Sequence, residues 1–226
     1  MVGSSKVRRI DAHMSISLDV RGVPCSMSTT YRLVFGAMIL WGMGVVGTGC
    51  SGSGSTNLEL RGVSSERVLS PSLAHRVYRY ADSNTADFFL TDLPEELWTP
   101  DADFRNVSAI LVHVHTFIEP RPGRTPIADG ASNVTVRYLV VSRGTLGLYG
   151  GGGFLWRSGE PGDANAGGEL RGASMKLVRS TPGFQDVLGP CELHGTFSAR
   201  KDVEKAAKLE AIFQSLQLAL PGVTGK

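Results

Sequence analysis

The sequence predicts a mainly β fold: an antiparallel sheet or sandwich of about seven to nine strands, with one amphipathic helix at its C-terminal end. Two observations carry the sheet. Short runs rich in β-branched and aromatic residues recur from Val77 to Ala199 between Gly, Pro, Asn and Asp positions, and the 28 glycines favour turns and loops over long helices. The helix rests on a third, the recurrence of Val203, Ala206, Phe213, Leu216 and Leu220 at helical spacing.

Taken in order, Val77–Tyr80 and Asp87–Leu90 flank Asp82-Ser83-Asn84-Thr85 and read as a hairpin. Asp92-Leu93-Pro94-Glu95 offers a capping residue with an acid three places on, which predicts one helical turn through Trp98, stopped by Pro100. Val107–Ile118 is the strongest strand. Ile110, Val112, Val114, Thr116 and Ile118 share one face, while Leu111, His113, His115 and Phe117 share the other. Because both faces are largely apolar, the strand is predicted to be central. A loop from Glu119 to Gly130 carries three prolines, which cannot donate to a ladder. Strands are expected at Val134–Val141, Leu146–Trp156 (interrupted by Gly150 to Gly153), Leu170–Val178 and Leu193–Ala199, with a polar loop at 158–168. The helix closes the series over residues 201–219, with Glu204 and Lys208 as a favourable i,i+4 pair and Pro221-Gly222 as its stop. No repeat or linker divides residues 58–220, so 58–226 reads as a single domain.

Charge excludes one class of function. Five of the 23 Lys/Arg and two of the 21 Asp/Glu precede residue 50, which leaves 18 basic and 19 acidic side chains for the rest. A near-neutral domain without a basic block lacks the footprint of a nucleic-acid binder. Of the three cysteines, Cys25 and Cys50 fall in or beside the N-terminal segment. Cys191 is then alone in the domain and reads as a small buried hydrophobe.

Leu33–Val46 is a 14-residue uncharged run preceded by Arg32 and followed by Gly47-Thr48-Gly49-Cys50. It falls short of the roughly 20 apolar residues of a spanning helix. Its length suits the apolar core of a secretory signal. The small residues Thr48 and Gly49 before Cys50 resemble the cleavage box of the bacterial lipoprotein signal, although Gly47 stands where that family usually has Leu. The resemblance implies removal of residues 1–49 and lipidation at Cys50 with diacylglyceryl and fatty acyl chains, palmitate among them. It implies a bacterial cell envelope location with the lipid anchor in a membrane, and Ser51 points to the outer membrane in a Gram-negative cell. Met27 is an alternative start that places Cys50 at the twenty-fourth residue. Residues 50–57, a lipidated Cys and a Gly/Ser tether, have a root-mean-square reach of roughly 15 Å.

One constellation has chemical potential. His113 and His115 project from one strand face about 6.5–7 Å apart along the backbone, and Glu119 completes His-x-His-x-x-x-Glu. Two imidazoles and a carboxylate suit Zn, Mn, Fe or Ni. The spacing resembles the first cupin motif, but Val107 and Pro126 stand where that motif has glycines, and no second motif surrounds His194. Histidines packed in a sheet face and bonded to neighbours are the favoured reading. Other candidates have simpler explanations: Gly147 and Gly150–Gly153 as bulge or close packing, Glu95/Glu96 and Asp101/Asp103 as exposed acids, Arg121 and Arg124 as solvated loop residues. Asn106 and Asn133 begin glycosylation-type triplets and are assigned no role. No Gly-x-Ser-x-Gly elbow is present. The expected function is a non-catalytic envelope lipoprotein of binding or structural type, without a cofactor and with another envelope protein as partner. The alternative is a metal-binding protein or metal-dependent enzyme using His113, His115 and Glu119.

Overall fold

The computed structural model describes residues 56–82, 84–99, 101–117, 132–160 and 162–221. The expectations for Met27, for lipidation at Cys50 and for Glu119, Arg121 and Arg124 lie outside the described residues. The fold is mainly β: among the described residues nine strands, β1 (Glu59–Gly62), β2 (Val68–Leu69), β3 (His75–Tyr80), β4 (Ala86–Thr91), β5 (Ser108–Thr116), β6 (Val134–Ser142), β7 (Thr145–Ser158), β8 (Asn165–Ser180) and β9 (Cys191–Lys201), precede one α-helix, α1 (Val203–Ala219).

All nine strands belong to one sheet in the order β2-β1-β9-β3-β4-β5-β6-β7-β8, and β8 also pairs with β9. The strands from β3 to β9 therefore close into a ring, in effect a seven-stranded barrel. Neighbours are antiparallel except at the seam, where β3 and β9 run parallel through Val77↔Arg200 and Tyr78↔Lys201. Closure removes the open edges a flat sheet would expose. β1 lies on β9 beyond this short seam, pairing Glu59–Gly62 with Cys191–His194.

The period-2 pattern sorts side chains into two cores. Tyr78, Phe88, Val112, Val114, Val136, Tyr138, Tyr149 and Leu155 point into the barrel with Leu60, Leu193 and Phe197. Their outward-facing neighbours Val77, Phe89, Leu111, Leu139 and Val141 form a second core with Ala206, Leu209, Ile212, Phe213 and Leu216 of α1. This is why both faces of β5 are apolar: one lines the barrel and the other lies under the helix. Asp202 caps α1 by accepting a hydrogen bond from the Lys205 amide at 3.0 Å.

Strand breaks follow local chemistry. β8 changes inward parity between Leu170 and Ala173, at a bulge where Gly172 takes φ +63°, a conformation that favours glycine. The glycine run does not interrupt β7, which continues to Ser158 with a register shift between Gly152 and Phe154. A Cβ on Gly151 would lie 1.9 Å from the Ser174 carbonyl oxygen, so close backbone approach explains that glycine.

Three further expectations are corrected. Asp92 does not cap the turn, which is a 3₁₀ segment at Glu95–Leu97 starting after Pro94. Its carboxylate instead accepts the Ile110 amide at 2.6 Å and so ties the turn to β5. Residues 165–168, read as loop, open β8, because their small side chains let β8 lie against both β7 and β9. Val203 is 56% exposed, and Leu209 and Ile212 take up the buried stripe.

Candidate functional site

β4 and β5 pair so that Asp87 faces His115 and Phe89 faces His113. All four project outward from the barrel, since their neighbours Phe88 and Val114 point in. His113 and His115 thus share a face as their spacing predicts, and the residue that joins them is Asp87. His113 Nε2 lies 2.9 Å from Asp87 Oδ1, and His115 Nδ1 lies 2.8 Å from the same oxygen. An ionised carboxylate only accepts, so both rings donate their proton-bearing nitrogen to it.

Burial works to raise the Asp87 pKa, but the hydrogen bonds and charge of His113 and His115 outweigh it and hold the carboxyl well below the ordinary range. Arg79, from β3, places Nε 3.5 Å from Asp87 Oδ2 and reaches Glu210 of α1 at 2.8 Å. The carboxylate is thus approached from both sides. Packing fixes the His113 ring: Phe89 stacks on it at 4.6 Å between centroids, 4° from parallel, and Phe213 meets it in a T-shaped contact. His113 is mostly buried, whereas the His115 side chain is 35% exposed. Arg137 of β6 stands opposite His113 in the ladder, exposed to solvent.

One ligand atom from each of Asp87, His113 and His115 fits within a mutual 4.8 Å, a cluster able to hold a metal ion. The other candidates do not join it. His194, on β9, is exposed, accepts the Gly172 amide and contacts Glu192 at 3.0 Å. Glu95 pairs with Lys205 and His75, and Asp103 pairs with Arg105. Cys191 is buried, its thiol directed to the Met175 carbonyl and its pKa pushed up to about 11 by burial and the nearby Asp186. Asn133 is buried and bonded to the backbone of Leu155.

A separate cleft of about 350 Å³ is lined by Leu69, Val140, Tyr149, Phe184 and Val187. Among its described lining residues, Tyr149 is the ionisable one, and it donates to Asp186 at 2.7 Å.

Asp87 escaped the sequence reading because it belongs to a different hairpin arm from the histidines. Its one signal is an acid within the otherwise apolar run Ala86-Asp87-Phe88-Phe89-Leu90, on the parity that shares a face with Phe89. Comparison with family models, curated proteins and solved structures finds no match.

Proposed function

We propose that this chain is a bacterial envelope lipoprotein, anchored by lipid on Cys50, whose barrel is a non-catalytic binding or structural module. The observation that carries the module reading is a barrel filled with its own side chains: Tyr78, Phe88, Tyr138 and Tyr149 are at most 1% exposed. A barrel packed in this way offers a partner its outer wall. The anchor reading draws on the Thr48-Gly49-Cys50 resemblance and the Gly/Ser tether, which leads within six residues to Thr56, bound by Arg76 at 2.7 Å. Ser51 favours the outer membrane in a Gram-negative cell, with another envelope protein as partner. Crosslinking the native chain in its own envelope, followed by mass spectrometry, tests the partner. One recurrent envelope protein at near-equal amount supports the reading; recovery of the chain alone opposes it.

A second reading, a divalent metal as ligand, is favoured by the convergence of Asp87, His113 and His115 on one point. Metal analysis of chain purified without chelator tests it: about one equivalent supports the reading, and a trace opposes it.

A further inference from the structure

Resting on that second reading, we infer that the ligand is a borderline divalent cation of the Zn²⁺ type, held by His113 Nε2, His115 Nδ1 and Asp87 Oδ1, with Arg79 as a positioning residue. The donor set decides the class. Two imidazoles suit zinc and its neighbours, whereas Mg²⁺ and Ca²⁺ are bound through oxygen.

The distances are close to what such an ion needs. At bond lengths of about 2.0–2.1 Å, tetrahedral ligand atoms stand about 3.3–3.4 Å apart. The His113 and His115 nitrogens lie 2.9 and 2.8 Å from Asp87 Oδ1, so each gap opens by about half an ångström, and the whole set already lies within 4.8 Å. His113 is held by Phe89 and Phe213, so the adjustment falls to Asp87 and to His115, the most exposed of the three. The protons balance as well. In its neutral form a ring that donates N–H to the carboxylate can, on binding, carry that proton on its other nitrogen and leave a lone pair for the ion.

The surroundings divide the work. Arg79 approaches Oδ2 and leaves Oδ1 to the cation, while Glu210, 2.8 Å from the guanidinium, offsets its charge. Asp87 and Glu210 flank Arg79 within the cluster, and Arg137 stands opposite His113 on β6. Phe89 and Phe213 hold the His113 plane, and His115, about a third exposed, leaves the outer side open to solvent. Three protein ligands leave the fourth position of a tetrahedral ion to water or another ligand.

The test uses the full-length chain in detergent, stripped with EDTA and titrated calorimetrically with ZnCl₂ or MgCl₂. One equivalent of Zn²⁺ is expected at micromolar affinity or better, with no Mg²⁺ heat at the same concentrations. His115→Gln and Asp87→Asn are each expected to weaken Zn²⁺ at least tenfold. Arg79→Gln is expected to weaken it 10- to 100-fold, the range for an orienting partner, while the Co²⁺ absorption band of the loaded site keeps its position. Circular dichroism of the EDTA-treated variants establishes that they are folded, and His115→Gln, at the most exposed ligand, remains informative if Asp87→Asn unfolds. Absence of any Zn²⁺ binding to the wild-type chain overturns the metal reading itself. Zn²⁺ binding that survives His115→Gln, or that Mg²⁺ matches, overturns the site and metal class assigned here while leaving metal binding in place. Undiminished Zn²⁺ affinity in Arg79→Gln overturns the positioning role.

Discussion

Phe213 meets His113 in a T-shaped contact, 5.8 Å between ring centroids, and thereby joins the buried stripe of α1 to the histidine cluster on the barrel wall. The same helix sends Glu210 to Arg79, which approaches the Asp87 carboxylate from the side opposite the histidines. Helix and cluster thus share one packing unit.

Phe213 is 3% exposed. Phe213→Ala is expected to destabilise the chain by about 3–5 kcal/mol, the usual cost of emptying a buried aromatic site. Urea unfolding followed by circular dichroism measures it. A change below about 0.5 kcal/mol would mean that α1 does not dock through this ring.

Asn133 acts as a substitute rung of the β6–β7 ladder. Its carboxamide donates to the Leu155 carbonyl at 3.0 Å and accepts the Leu155 amide at 2.7 Å. Asn133→Ala strands both backbone groups in a buried site and is expected to cost about 1–3 kcal/mol. The denaturation midpoint should fall accordingly. An unchanged midpoint would show that water or a rearranged backbone satisfies Leu155.

Alkaline pH should unfold the protein early. Burial and Asp186 push the Cys191 thiol up to about 11, whereas a thiol in the unfolded chain titrates near about 8.5. Burial raises the Tyr149 hydroxyl too, and its hydrogen bond to Asp186 adds to the effect. Both groups keep their protons longer in the folded state. Their contribution is complete below the unfolded pKa and is lost as pH rises towards the folded one. The melting temperature under reducing conditions should stay level to about pH 8.5 and fall from there to about pH 11. Cys191→Ala should move the onset to about pH 10, where tyrosine takes over. An onset that does not move would remove Cys191 from the explanation.

Strand periodicity made most of the barrel legible. The alternation along Ile110–Thr116 placed β5 centrally and put both histidines on one face, and the stripe Ala206–Phe213–Leu216 announced a docked helix. β1 and β2 were not located: four and two residues long, they carry little pattern, although Leu58 and Leu60 on either side of Glu59 hint at alternation. Closure depends on pairings between residues as distant as Tyr78 and Lys201, which no local pattern records. The same limit hid Asp87. His113 and His115 are set together by a two-residue period, but a partner on a neighbouring strand is fixed only by register.

Lipid on Cys50 is the claim on which the envelope reading turns, and labelling with radioactive palmitate in a bacterial host tests it most directly. In the lipoprotein pathway, sulfur acylation precedes cleavage of the signal. The wild-type chain should therefore label and sediment with membranes in its processed form, whereas Cys50→Ala should stay unlabelled and accumulate as the longer precursor. Equal labelling and processing of the two chains would contradict lipid attachment at Cys50.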